Sequence, residues 1–242
     1  MNHEIYADHA ATTPVAREVA DTMYDVLLNG SGNPSSQYPY GAAAKKRLEA
    51  DRAVIAAALG CKSEQFVFTS CGSESDNIAC DILLREAGGP EAVEAYVRSL
   101  GIGGIRIAAS EEEMHRGIGN QRVNKARPSS VCTLFDLFLQ GRLLKGEYNA
   151  LLQRLLRGTT TGANKLKAGL PASTVIGHKT GSSDRTAEGI RIADNDVGYV
   201  VLPDGRRYCI AVFVTESEEN DATNAAIAAS ASRAAYEYFS SK

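Results

Sequence analysis

The run from Val197 to Thr215, VGYVVLPDGRRYCIAVFVT, constrains the fold more than any other part of this 242-residue chain. Two β-branched and aromatic segments, 197–202 and 207–215, flank Pro203-Asp-Gly205. Apolar strands with so short a turn-forming connection pair antiparallel. A third such segment, 173–179, precedes them, and an Ala-rich segment, 221–239, follows. There Ile227, Ala231, Ala234, Ala235 and Tyr238 recur at helical spacing. A helix with that stripe would cover one face of the meander. The expectation is an α+β fold, with helices first and then an antiparallel sheet closed by a C-terminal helix.

Upstream the periodicity is helical. Val15, Val19, Met23, Val26 and Leu27 form one stripe, with Pro14 near its start. Residues 29–36 carry every turn signal, and a second helix runs from about Gly41 to Leu59, capped by Gly60. Residues 4–8 read as a short strand and Glu64 to Ser70 as a buried one. Ile78, Leu83 and Leu84 mark a helix ending at Gly88-Gly89, and Pro90 opens another with Val93, Tyr96, Val97 and Leu100. Ser110 to His115 falls in a loop-like region reaching about Ala126. Pro128 opens a helix with Val131, Leu134, Phe135, Phe138 and Leu139, and Leu151, Leu152, Leu155 and Leu156 mark the next.

Composition removes several function classes. A net charge of −3 gives neither a nucleic-acid nor a membrane surface, and no apolar run is long enough for a bilayer span. Five cysteines without a C-x-x-C pair, and four scattered histidines, argue against zinc. The first residues lack a basic region and an apolar core, so no signal peptide is expected and the cytoplasm is the expected location.

The chemistry concentrates around Thr69-Ser-Cys-Gly-Ser-Glu-Ser-Asp-Asn-Ile-Ala-Cys80. A strand running into a hydroxyl-rich, Gly-containing turn offers N–H groups to a phosphate. Ser75-Asp-Asn77 also spells the middle motif of a serine hydrolase that later supplies Lys179-Thr-Gly181. The ordinary alternative for Ser, Asp and Asn before an apolar run is a helix N-cap.

Residues 1–78 resemble the N-terminus of a cysteine desulfurase of the class V aminotransferase family. The matching pieces are Tyr6-Ala-Asp-His-Ala-Ala-Thr-Thr-Pro14, Gly32-Asn-Pro-Ser-Ser36, Tyr40-Gly41 and Phe68-Thr-Ser-Cys-Gly-Ser-Glu-Ser-Asp-Asn77. The resemblance implies a mostly helical segment in which Gly72 and Ser73 hold the phosphate of pyridoxal phosphate. His178-Lys179 stands where a Schiff-base lysine would be sought, but Thr180-Gly-Ser-Ser183 follows it in place of the family's Gly-Pro-Lys-Gly. Under this alternative the chain is a pyridoxal-phosphate-dependent desulfurase-like protein.

Residues 75–242 resemble the C-terminal two thirds of a class A β-lactamase. The pieces are Ser75-Asp-Asn77, Gly88-Gly-Pro90, Ser110-Glu-Glu-Glu-Met-His115, Thr159-Thr-Thr-Gly162, Leu170-Pro171, His178-Lys-Thr-Gly-Ser-Ser183 and Asn195-Asp196. The resemblance implies roles. Ser75 would relay a proton to the leaving nitrogen, and Asn77 would orient the substrate amide. Lys179 would supply positive charge, and Thr180, Gly181 and Ser182 would line the strand edge and hold a carboxylate. Glu111 would activate the deacylating water, with the register open by one residue because two further glutamates follow.

The family's Ser-x-x-Lys nucleophile motif should lie roughly sixty residues before Ser75. No Ser or Thr in residues 1–74 has Lys three positions on. The expectation is therefore a chimera. Residues 1–74 form a desulfurase-like head, and residues 75–242 form a β-lactamase-like part without its nucleophile helix. The two patterns meet at Ser75-Asp-Asn77, where a natural fusion or an error of assembly would join them. The chain would have no hydrolytic turnover and no cofactor, with a β-lactam as a weak ligand. Apolar surface at Val15–Leu27 and Val197–Val214 would drive self-association.

Overall fold

The computed structural model describes residues 13–242, apart from the side chain of Ser73. The expected strand at residues 4–8, and most of the segment Tyr6–Pro14, lie outside the described residues. The chain divides into two compact units between Ser70 and Cys71.

The first unit is helical. Helix α1 (Arg17–Asn29) leaves Val19, Met23 and Leu27 more than half exposed, so its apolar stripe is not buried. Helix α2 (Pro39–Leu59) ends on Gly60 at φ 73°, a left-handed cap that suits glycine. The strand expected at 64–70 does not form. A short 3-10 turn, Ser63–Gln65, stands there, and no described strand pairs with the residues that follow. Local contacts take the place of a ladder. The Arg52 guanidinium donates to the Phe66 carbonyl at 2.7 Å and lies over the Phe68 ring, and the two phenylalanines meet edge to face.

The second unit carries the α+β fold. Helices α3 (Gly72–Glu86) and α4 (Gly89–Ser99) are separated by Gly88, whose φ of 93° turns the chain between them. A two-stranded ribbon pairs β1 (Ile105–Arg106) with β2 (Lys125–Ala126). Between them the expected loop contains a short helix, α5 (Glu111–His115). Ser110 caps it by accepting from Glu113 N–H, while the Glu113 carboxylate accepts from Ser110 N–H. This reciprocal capping box offsets the cost of nucleating a single turn. Helices α6 (Pro128–Leu139) and α7 (Gly146–Arg157) follow as the apolar spacing predicts.

The sheet runs in the order β3 (Val175–Ser182), β4 (Arg191–Val201) and β5 (Arg207–Ser217), all antiparallel, with Pro203-Asp-Gly205 in the β4–β5 turn. Strand β4 begins six residues before the expected Val197, because 191–196 (Arg-Ile-Ala-Asp-Asn-Asp) are mostly polar and form no apolar run. One face packs on α6 and α7 through Phe138, Leu156 and Tyr199. The other packs on α8 (Asp221–Ser240) and the 3-10 turn Leu166–Gly169 through Leu166, Val200, Leu202 and Tyr208. The face that α8 buries is not the expected Ile227–Tyr238 stripe. Asn224, Ala225, Ala228 and Ser232 are buried, while Ile227 and Tyr238 are 45% and 55% exposed. Small residues win the contact because the backbones come so close that a Cβ on Gly169 would stand 2.1 Å from the Ala229 carbonyl.

Candidate active site

Two cross-strand glycines shape the sheet near β3. Gly177 faces Tyr199, and Gly198 faces His178. A Cβ on Gly177 would lie 2.5 Å from the Tyr199 ring, and one on Gly198 would lie 2.8 Å from the His178 Cα and Cβ. His178 is 1% exposed, with Nδ1 2.9 Å from Asp196 Oδ1. Asp196 Oδ2 accepts Leu166 N–H at 3.1 Å, so this wholly buried carboxylate ties β3, β4 and the 3-10 turn together.

Further along the strand, Ser182 faces Asp194. The Ser182 hydroxyl donates to Asp194 Oδ1 at 2.5 Å and accepts from Lys165 Nζ at 3.2 Å. Lys165 and Asp194 form an ion pair, 8% and 5% exposed. Sequence reasoning missed both. Their signal was the Asp194 and Asp196 alternation on a strand whose other positions on that face, Ile192, Gly198 and Val200, are apolar or glycine.

The expected site residues separate into groups. Glu111, Gly181 and Ser182 line one cavity of about 340 Å³, together with His115, Asn124 and Asn195. The His115 Nδ1 lies 2.9 Å from the Glu111 backbone carbonyl and 3.7 Å from its carboxylate. Lys179, Thr180, Ser75 and Asn77 are not among that cavity's lining residues. The Lys179 ammonium donates to the Thr180 carbonyl, and the Thr180 hydroxyl lies 2.8 Å from that of Thr161. Ser75 sits in the first turn of α3, where its hydroxyl donates to the Cys71 carbonyl at 3.3 Å. Cys71, rather than Ser75, occupies the N-cap position, and Asn77 is half-buried on the same helix. Neighbouring charges are locally paired. Arg116 holds the Glu112 carboxyl below its ordinary value, and the Ile107 N–H followed by Arg98 does the same for Glu94.

A pyridoxal phosphate is not accommodated by these residues. Gly72 opens α3, where helix N–H groups could meet a phosphate, but the Ser73 side chain lies outside the described residues. His178 is sealed against Asp196 and Gly198, with no face open to stack on a ring. No group of His, Cys, Asp and Glu among the described residues could hold a metal ion, and no described helix is long and apolar enough to cross a membrane.

Comparison with known proteins finds two families, whose matches overlap over residues 65–119. The Aminotransferase class-V family matches residues 5–119, and the Beta-lactamase enzyme family matches residues 65–239. A cysteine desulfurase of Dictyoglomus turgidum is 44% identical over 79 residues, 33% of this chain and 20% of that protein. A β-lactamase of Bacteroides uniformis is 45% identical over 166 residues, 68% of this chain and 56% of the relative. The class A β-lactamase structure from Bacteroides cellulosilyticus superimposes with a TM-score of 0.66 at 49% identity, covering 70% of this chain and 61% of the other. The chain thus spans about half the length of the curated β-lactamases it matches. Its N-terminal segment is similar to cysteine desulfurases, and over residues 65–239 the chain belongs to the beta-lactamase enzyme family.

Proposed function

We propose that residues 75–242 act as a β-lactam-binding remnant that does not turn its ligand over. The observation that carries this reading is the missing nucleophile rather than Ser75, whose hydroxyl donates to the Cys71 carbonyl at the start of its helix. The 74 residues before it hold no Ser or Thr followed three positions later by Lys. Covalent catalysis splits acyl transfer into two easier steps, and losing the nucleophile removes several orders of magnitude in rate.

The residues that remain suit an anionic ligand. Lys179 is exposed at the β3 strand and able to exchange its own-chain carbonyl for a carboxylate. Glu111, Gly181 and Ser182 border a cavity large enough for a bicyclic ring system. Glu111 would act there as a base on water only if an acyl group were present to receive it.

Intact-mass measurement after penicillin treatment tests the reading. The expected result is an unchanged mass, with no burst from a chromogenic cephalosporin. A covalent adduct mapping to Ser75, or to any serine of the first unit, would overturn it.

A further inference from the structure

Strand β5 is the outer strand of its sheet, and among the described residues it pairs only with β4. Helices pack on both of its faces, yet Cys209 to Phe213 are all half-buried. Central β4 instead alternates buried and half-buried positions. The exposure of β5 therefore comes from its open edge, where every second residue points its N–H and C=O outward.

Two grooves flank this edge on the α6 side. One, of about 680 Å³, lies between α6 and the start of β5, bordered by Cys132, Asp136, Arg207 and Cys209. The other, of about 570 Å³, lies between the β1–β2 ribbon and the end of β5, bordered by Arg122, Phe213 and Thr215. Alternate side chains of an added strand would enter them.

Exposed edges are ordinarily blunted by charges, prolines or bulges. From Tyr208 to Thr215 β5 carries none of these. The only described non-glycine residue at positive φ, Glu216 at 48°, lies beyond that stretch. The ends of the strand differ in sign: Arg206 at its start is held by Asp204 and Glu216 at its finish by Arg122, which leaves Arg207 at one end and Glu218 and Glu219 at the other.

We propose that β5 pairs antiparallel with β5 of a second copy of this chain, joining the two sheets across a twofold axis. Antiparallel pairing sets the basic start of each strand against the acidic finish of the other, whereas parallel pairing would set like against like. Facing residues must share a face of the sheet, so the axis passes through a residue rather than between two. With Val212 on the axis, Arg207 faces Ser217, next to Glu218 of the other copy. The interface is isologous and closes at two copies.

Sedimentation of the full chain over a dilution series is the test, with Arg207→Glu, Glu218→Lys and the double variant beside the parent. Both residues are exposed, and thermal melts of each variant check that the fold is intact. The expected result is a dimer that dissociates on dilution. Each single reversal should weaken it about tenfold, and the double reversal should restore it. Amide exchange of 208–215 should slow as concentration rises. A monomer at every concentration, an association indifferent to both single reversals, or a double variant no tighter than the singles would overturn the proposal.

Discussion

A methyl group on Gly198 would stand 2.2 Å from the Gly177 carbonyl, which belongs to backbone and cannot rotate away. Gly198→Ala is expected to cost about 1–3 kcal/mol, measured by urea unfolding. The neighbouring ion pair is as sensitive but in a different manner. Lys165 and Asp194 are both withdrawn from water, so Asp194→Ala leaves an ammonium without its counter-charge. That single change should lose about 3–5 kcal/mol, while Lys165→Met with Asp194→Leu should recover most of it. If the double variant is no better than the single, desolvation is not what governs the pair. Burial also raises the Cys132 thiol and pushes Cys209 up to about 12. Only the thiolate is a nucleophile, so exposed Cys80 should alkylate well before either. Cys209 keeps its proton in the folded chain above the ordinary value of 9.0, where the unfolded chain has lost it. Its contribution to stability is thus present below about pH 9 and lost as pH rises towards 12.

Helix α8 depends on charge at its start. Arg191 and then Arg185 hydrogen-bond the Asp221 carboxylate and hold its pKa below the ordinary 3.8. A lowered carboxyl pKa stabilises the fold above the unfolded value, and that contribution disappears as pH falls through the folded one. Asp221→Asn should flatten the acid limb of a stability profile and leave the neutral region less stable; an unchanged acid limb would remove Asp221 from the account. At this scale the sequence was readable where one force dominated. Pro203-Asp-Gly205 announced the hairpin, Gly60 the end of α2 and Pro128 the start of α6, because each fixes backbone torsions locally. It was not readable where a partner decided. The Glu64–Ser70 segment has strand composition but no described strand to pair with, and α5 was hidden in three glutamates until the Ser110–Glu113 capping box formed. In α8 the larger residues at 227 and 238 suggested the buried face, whereas close backbone approach at Gly169 selected the alanines and serines instead. The candidate site followed the same rule. Glu111, Gly181 and Ser182 could be named from motifs, but Lys165 became visible only through its contact with Asp194.

The two units differ sharply in how much they bury. Among the described residues, all three apolar clusters lie in 97–236, whereas the buried positions of α1 and α2 amount to Gly41 and Ala56. Amides of α1 and α2 should therefore exchange by local opening, orders of magnitude faster than those of β4, which should exchange only on global unfolding. Comparable protection in both units would contradict this. The carboxylates of Asp194 and Asp196 have one more consequence for how the molecule assembles. Both point to the same face of β4, and each meets its partner only in the native alignment with β3, Ser182 opposite Asp194 and His178 nearly opposite Asp196. A hairpin paired one residue out of step would turn both acids toward Phe138 and Leu156, carrying two charges into an apolar layer with no cation to receive them. A misaligned pairing of β3 with β4 is thus penalised at both acids, so the polar pairs select the native register.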